Sequence, residues 1–222
     1  SWPRYEVIMV ATDDLIRSLA ADARPVRPGA AQMRLFGGLA AGALVALLAL
    51  TLLLRTPLSA VVYTGVPAFT MKLAYAAAMA AATGLLLFAS GRPGQRIGYR
   101  LLWLILPPAL VGANAIMELT MKAPQFREAA LLGTTWQTCI AAIAGLSLPV
   151  LAGVVWAFKR LAPTNLTLAG LLAGLASGSA AAVVYALFCP ETTAAFLATW
   201  YTLGIGAAGL IGLIAGPRLL RW

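Results

Sequence analysis

The sequence predicts an all-α membrane protein, a six-transmembrane-helix bundle preceded by a short cytoplasmic amphipathic helix. Hydrophobic residues make up 61% of the 222 residues, with a mean hydropathy of +0.88. Charged residues make up 10%, well below the roughly 25% typical of a soluble globular domain. The apolar residues also fall into six runs that are each long enough to cross a bilayer, for which about 20 residues suffice.

The chain before the first run divides into two parts. Residues 1–8 share no pattern with the rest of the chain, and we expect them to be an extension ahead of a natural start at Met9, or an early start assignment. Residues 9–34 should form a cytoplasmic segment, and residues 35–222 should form the transmembrane domain.

The stretch TDDLIRSLAAD (residues 12–22) predicts the amphipathic helix. Leu15, Ile16 and Leu19 share one face, while Asp13 and Asp14 lie in the first turn, where the helix dipole favours acidic side chains. A helix of about ten residues is unstable alone in water, so it should dock on something. Its polar face is acidic rather than rich in Lys and Arg, which favours a groove on a partner protein over the membrane surface.

Six helical spans should come after this segment. They lie near residues 35–54, 67–90, 97–117, 134–158, 166–188 and 194–215, and the segments RTPLS, SGRPGQR, KAPQFRE, KRLAPTN and CPET separate them as loops. Helices are expected because a backbone in lipid must satisfy its hydrogen bonds within the segment. Pro107 and Pro108 in the third span and Pro149 in the fourth predict kinks.

Small residues recur four apart in the last two spans, which predicts close helix packing. The main positions are Gly170, Gly174 and Gly178 in the fifth span and Gly204, Gly212 and Gly216 in the sixth. A tightly packed bundle is the favoured interpretation, and a glycine-lined conduit is the alternative. The same grooves would permit self-association, so the oligomeric state stays open.

The distribution of basic residues predicts the orientation. Most of the 16 lysines and arginines lie before the first span, between spans two and three, between spans four and five, and after the last span. Cytoplasmic loops are enriched in such residues, so both termini should face the cytoplasm. This bias accounts for the net charge of +9 without direct binding to nucleic acid.

The composition argues against an enzyme. The chain has no histidine, which removes the commonest general base, and it contains no phosphate-binding loop, nucleophile elbow or metal-binding helix motif. Transporters usually bury ionisable groups near the bilayer midplane. Here Lys72 and Glu118 lie within a turn or two of the outer surface, so a small six-helix transporter or exporter remains only as an alternative function.

The two cysteines should lie near the same, outer surface of the membrane. Cys139 lies about one and a half turns inside the fourth span, and Cys189 comes at the end of the fifth. Their depths differ by about 7 Å at a rise of about 1.5 Å per residue, which tilt can absorb. A disulfide, a dithiol site for a soft metal and two inert buried side chains all remain open.

Several of these stretches resemble the NrsF-type anti-sigma factors. The resemblance rests on TDDLIRSLAADARPVRP before the first span, a cysteine in the fourth span, FCP at the end of the fifth and RLLRW near the C-terminus. It implies a bacterial inner-membrane protein of six spans that holds an extracytoplasmic-function (ECF) sigma factor inactive.

The resemblance also implies roles for particular residues. The cytoplasmic segment would bind the sigma factor, with Asp13, Asp14, Leu15, Ile16 and Leu19 as candidate contacts. Cys139 and Cys189 would sense heavy-metal or oxidative stress on the outer side, and a rearranged bundle would release the sigma factor. Family members commonly have a histidine where this chain has Phe188, which leaves a dithiol. No cofactor is implied beyond a transiently bound soft metal ion at the two thiols.

Overall fold

The computed structural model describes residues 12–22, 29–54, 60–91, 98–159 and 165–221. The chain divides into two units, residues 1–30 and residues 31–222, and each is considered by itself. The expected extension over residues 1–8 lies outside the described residues. Within the described ranges the chain is helical, and no strand occurs there.

Helix α1 (Thr12–Asp22) makes up most of the described part of the first unit. The Ser18 hydroxyl donates to the Leu15 carbonyl at 2.9 Å, and Arg17 pairs with Asp14 at 3.7 Å on the exposed surface. Leu15, Ile16 and Leu19 are 49%, 57% and 64% exposed. The predicted amphipathic helix is therefore present, and its apolar face is left uncovered within its own unit.

The second unit contains the predicted bundle. Its elements are α2 (Ala30–Leu54), α3 (Ala60–Ser90), a 3₁₀ segment (Gly98–Leu104), α4 (Leu106–Met121), α5 (Pro124–Leu132), α6 (Trp136–Phe158), α7 (Leu166–Ala186), α8 (Ala194–Phe196) and α9 (Thr202–Leu219). One π-helical turn, Leu197–Tyr201, joins α8 to α9. Six helical stretches in the described part of the chain are long and apolar enough to cross a membrane, which confirms the predicted fold class.

The third span differs from the prediction in its first half. It enters as the 3₁₀ segment, and the α-helix begins only at Leu106. Pro107 and Pro108 therefore occupy the first turn of α4 instead of kinking a continuous helix. The first turn suits proline because its missing N–H would have no partner within the helix there.

A further helix occupies part of the predicted third loop. Residues of KAPQFRE form the beginning of α5, which starts with Pro124 at its first position and ends before Gly133, whose φ is +58°. Proline at the start and glycine after the end are ordinary helix boundaries. The proline and charged residues of this stretch predict a loop, but they also fit the start of a short helix.

Helix α7 is the centre of the bundle and packs along α9, α3 and α6. It meets α9 through glycines, because Gly170 lies against Gly212 and Gly216 and Gly174 lies against Gly212. A Cβ at Gly170 or Gly174 would collide with the α9 backbone. Such small-residue contacts allow helices in lipid to approach closely.

Other glycines also lie at contacts between helices. Gly204 faces Ile143 of α6, and Gly178 faces Ala208 and Ile205 of α9. Gly38 of α2 lies against the Gly153 backbone of α6, and α6 keeps Pro149 inside it. Helix α6 therefore contacts α2 and α9, in addition to α7.

Candidate thiol site

Cys139 and Cys189 come together at one end of the bundle, where α3, α6 and α8 begin and α4 and α7 end. We call this the thiol end. Cys139 lies in the first turn of α6, and Cys189 lies in the turn after α7. The two side chains are 0% and 1% exposed and belong to the same core cluster. Both are free thiols.

The end of α7 places Cys189 within the core. The amides of Phe188 and Cys189 both donate to the Tyr185 carbonyl at 3.0 Å, which closes the last turn. Pro190 comes next and has no N–H with which to continue the helix. The chain therefore turns at Cys189 before α8 begins.

Lys72 of α3 holds this turn. Its side chain is 2% exposed, and its Nζ donates a hydrogen bond of 2.6 Å to the backbone carbonyl of Cys189. A buried ammonium in a membrane-spanning helix is costly unless it is paired, and charge-assisted hydrogen bonds are stronger than neutral ones. Lys72 thus ties α3 to the residue that carries one of the two thiols.

Glu191 ties the same turn to the segment between α5 and α6. Its Oε1 accepts hydrogen bonds from the amide and hydroxyl of Thr134 at 2.8 Å, and from those of Thr135 at 3.0 Å. A side chain at Gly133 would collide with the Glu191 carboxylate and with Phe196. Glycine is therefore required at position 133 for space as well as for its positive φ.

Glu118, at the end of α4, holds the start of α8. Its Oε2 accepts from the amides of Ala194 and Ala195 at 2.7 and 3.3 Å, and its Oε1 pairs with Lys122 at 3.1 Å. A carboxylate at a helix N-terminus satisfies free N–H groups and interacts favourably with the helix dipole. Two carboxylates therefore fix the segment between Cys189 and α8 from two sides.

Aromatic side chains close the site. Tyr185 and Tyr201 are buried, with ring centroids 5.9 Å apart. The Tyr201 hydroxyl lies beside the Cys189 thiol and favours its ionised form, although it makes no hydrogen bond of good geometry. Trp200 packs on Trp136 at 5.1 Å, and its Nε1 donates to the Leu131 carbonyl at 2.7 Å.

The environment disfavours ionisation of Cys189. Burial raises the pKa of the Cys189 thiol, and the Tyr201 hydroxyl, the Glu191 backbone and the Lys72 ammonium offset this only in part. The thiolate is the form that attacks oxidants and binds metals. The Cys189 thiol should therefore react slowly in the folded protein, and a faster reaction requires that Cys189 be exposed or deprotonated.

The thiol end offers few ligands for a permanently bound metal ion. Within the described ranges, no group of three or more His, Cys, Asp or Glu side chains could hold a metal ion. The two thiols alone could bind a soft metal ion whose remaining coordination positions are filled by ligands from solution.

The five candidate sigma-binding residues all lie on α1. Asp14, Leu15, Ile16 and Leu19 are exposed there, and Asp13 lies within the helix. These residues lie in the first unit, whereas Cys139 and Cys189 lie in the second.

Comparison with known proteins places the chain in a family. The family described as NrsF, negative regulator of sigma F, matches residues 19–222. The chain belongs to the NrsF family. A protein named probable anti-sigma-F factor NrsF, from Azospira oryzae, is 39% identical over 214 residues, covering 95% of this chain and 99% of its own length. The anti-sigma-F factor NrsF of Caulobacter vibrioides is 39% identical over 219 residues, with the same coverage. No solved structure matches the chain.

Membership in the NrsF family confirms the resemblance drawn from the sequence. Both relatives carry the names of regulatory proteins, in agreement with the prediction that the chain is not an enzyme. Three members of the thiol site were nevertheless not predicted as such: Lys72, Glu118 and Glu191. For Lys72 and Glu118 the sequence indicates only that they lie near a surface. A lone cation inside an apolar run is by itself a signal of a buried, paired role.

Proposed function

We propose that this protein is an inner-membrane anti-sigma factor that binds a sigma factor of the ECF type through α1. Family membership is the observation that carries the proposal, since the family is described as a negative regulator of sigma F. The exposed apolar face of α1 supports α1 as the contact. A helix this short with three exposed apolar side chains gains stability by docking in a groove.

The proposed orientation puts α1 in the cytoplasm and the thiol end in the periplasm. The distribution of lysine and arginine supports it, because the described basic residues Arg34, Lys159 and Arg218 lie at the end of the bundle opposite the thiols. The sigma factor would then be retained at the inner face of the membrane, away from its promoters. The two thiols would then lie on the periplasmic side of the membrane, an oxidising environment in which disulfides persist.

The proposed signal is a reaction of Cys139 with Cys189. An oxidant such as a hydroperoxide would take two electrons and two protons from the two thiols, leaving a disulfide. A soft metal ion would instead displace the two protons and bind both sulfurs. Either reaction joins α6 to the turn after α7, which the hydrogen bonds of Lys72 and Glu191 hold in the resting state.

Helix α6 is the proposed route from the thiols to the sigma factor. It carries Cys139 in its first turn, and towards its other end Gly153 lies against Gly38 of α2. Pro149 has no N–H for the carbonyl four residues earlier, so α6 can bend between these two points. Helix α2 is the next described helix after α1 in the chain, which supports α2 as the last step of this route.

A reporter for sigma-F-dependent transcription tests the proposal. Leu15→Glu would place a charge in the apolar groove of the sigma factor that α1 is proposed to occupy. It should therefore switch the reporter on without any stress. Ala21→Glu adds the same charge on the opposite side of α1 and should leave the reporter silent. A silent reporter in the Leu15→Glu strain, at normal protein level, would contradict binding through this face.

A further inference from the structure

An apolar groove of about 760 Å³ opens between α3, the 3₁₀ segment and α4. Alanines of α3, among them Ala78, Ala82 and Ala89, form one wall. Their small side chains leave the space that larger residues would fill. Trp103 and Pro107 contribute to the opposite wall. The volume lies within the range of about 300–1,000 Å³ that is usual for small-molecule sites.

One end of the groove is polar and positively charged. Arg100 and Tyr99 line the groove there, and the Arg100 guanidinium lies over the Tyr99 ring, 5.8 Å from its centroid. Arg100 Nε also donates to the Tyr99 hydroxyl at 3.4 Å. The described lining thus combines a long apolar wall with the Arg100 guanidinium near the mouth.

The whole of this end of the bundle has the same sign of charge. Among the described residues of the second unit, it carries Arg34, Arg100, Lys159, Arg218 and Arg221. The acidic residues described in that unit are Glu118, Glu128 and Glu191, which lie in α4, α5 and the turn before α8, at or near the thiol end. The groove therefore opens towards a surface that attracts anionic groups.

We infer that this groove holds one anionic phospholipid, with an acyl chain along the α3 alanines and the phosphate beside Arg100. A phospholipid combines a long apolar chain with a terminal phosphate, which matches the order of groups along the groove. Arginine binds phosphate oxygens through a planar fork of N–H donors. Basic pockets between transmembrane helices recognise anionic lipid head groups in the same way.

A docked peptide or a second copy of the chain fits the groove less well. The sequence of α1 includes acidic residues, but its apolar residues are those proposed for the sigma factor. A second copy would bring another basic surface to this one, and like charges would repel. The phospholipid is the occupant whose charge complements the groove.

Native mass spectrometry of the full chain, released from nanodiscs of equimolar phosphatidylglycerol and phosphatidylcholine, tests this inference. We expect one retained lipid per chain, with phosphatidylglycerol favoured about fivefold, since one basic residue near the surface contributes about that factor. Arg100→Gln should remove the preference. Ala82→Phe should fill the groove and remove the retained lipid.

Arg218→Gln is the matched control, because it removes the same charge from an exposed site on α9, outside the groove. It should keep both the retained lipid and the preference. Equal retention of the two lipids by the unaltered chain would overturn the inference. So would a preference that survives both Arg100→Gln and Ala82→Phe, or a dimer that Ala82→Phe dissociates.

Discussion

The ammonium of Lys72 donates a 2.6 Å hydrogen bond to the backbone carbonyl of Cys189, a residue 117 positions further along the chain. Both residues are almost completely buried. The bond joins α3 to the turn at the end of α7, and this turn carries one of the two thiols. We therefore expect that weakening this bond would make Cys189 easier to reach.

Replacing Lys72 by Met should expose Cys189. The substitution removes a charge-assisted hydrogen bond, worth about 1.5 kcal/mol or more, and leaves a buried carbonyl without its partner. The turn should open about tenfold more often, so Cys189 should react with a neutral maleimide about tenfold faster in a Cys139→Ala background. Lys159→Met, which removes an exposed lysine at the opposite end of the bundle, should leave the rate unchanged. An unchanged rate in Lys72→Met would show that other contacts hold the turn.

Replacing Cys139 by Ala should abolish the response to oxidants and soft metals while keeping the sigma factor bound. The reaction needs two sulfurs, and Cys189 alone can supply only one. The reporter for sigma-F-dependent transcription should stay silent across a range of cadmium and peroxide concentrations. An induction curve equal to that of the unaltered protein would assign Cys139 to packing alone.

Replacing Glu191 by Gln should destabilise the thiol end. The carboxylate oxygen Oε1 accepts four hydrogen bonds from Thr134 and Thr135, and an uncharged amide accepts them more weakly. We expect a loss of about 1–2 kcal/mol, which corresponds to about 2–8 °C in the melting temperature of the detergent-solubilised protein. Glu128→Gln removes an exposed carboxylate of α5 and is the control. Equal melting temperatures for the two variants would contradict this role for Glu191.

Replacing Gly153 by Leu should uncouple the thiols from the sigma factor. A side chain at Gly153 would collide with the Gly38 backbone and push α2 away from α6. Because α2 should then no longer follow α6, diamide should no longer change the amount of sigma factor that the protein retains. Gly145→Leu offers the matched control on the same helix, since a Cβ there meets only open space. Normal release from Gly153→Leu would exclude the α6–α2 contact as the route.

The sequence was enough to predict the spans and α1, because both depend on local patterns. A run such as residues 166–188 is recognised by its length and hydropathy alone, and the structure places α7 at Leu166–Ala186. The acidic first turn and the apolar face of α1 are equally local. The resemblance to the family also rests on short stretches at the two ends of the chain together with the cysteines.

The polar part of the thiol site could not be predicted in this way. Glu191 looks like an ordinary loop carboxylate, and its role depends on Thr134 and Thr135, which lie more than 50 positions earlier. The partner of Lys72 is a backbone carbonyl, which leaves no mark on the sequence. The 3₁₀ entry to the third span likewise depends on how residues before Pro107 pack, and periodicity does not report this.

Co-purification of the sigma factor with the membrane protein tests the central claim most directly. The full chain, its Leu15→Glu variant and its Ala21→Glu variant would each be placed in nanodiscs and mixed with sigma F from the same organism. We expect retention of sigma F by the full chain and by Ala21→Glu, and a loss of at least about tenfold in affinity with Leu15→Glu, since burying one unpaired charge costs well over about 1.4 kcal/mol. Equal retention by all three would contradict binding through α1, and no retention by any would contradict the anti-sigma function itself.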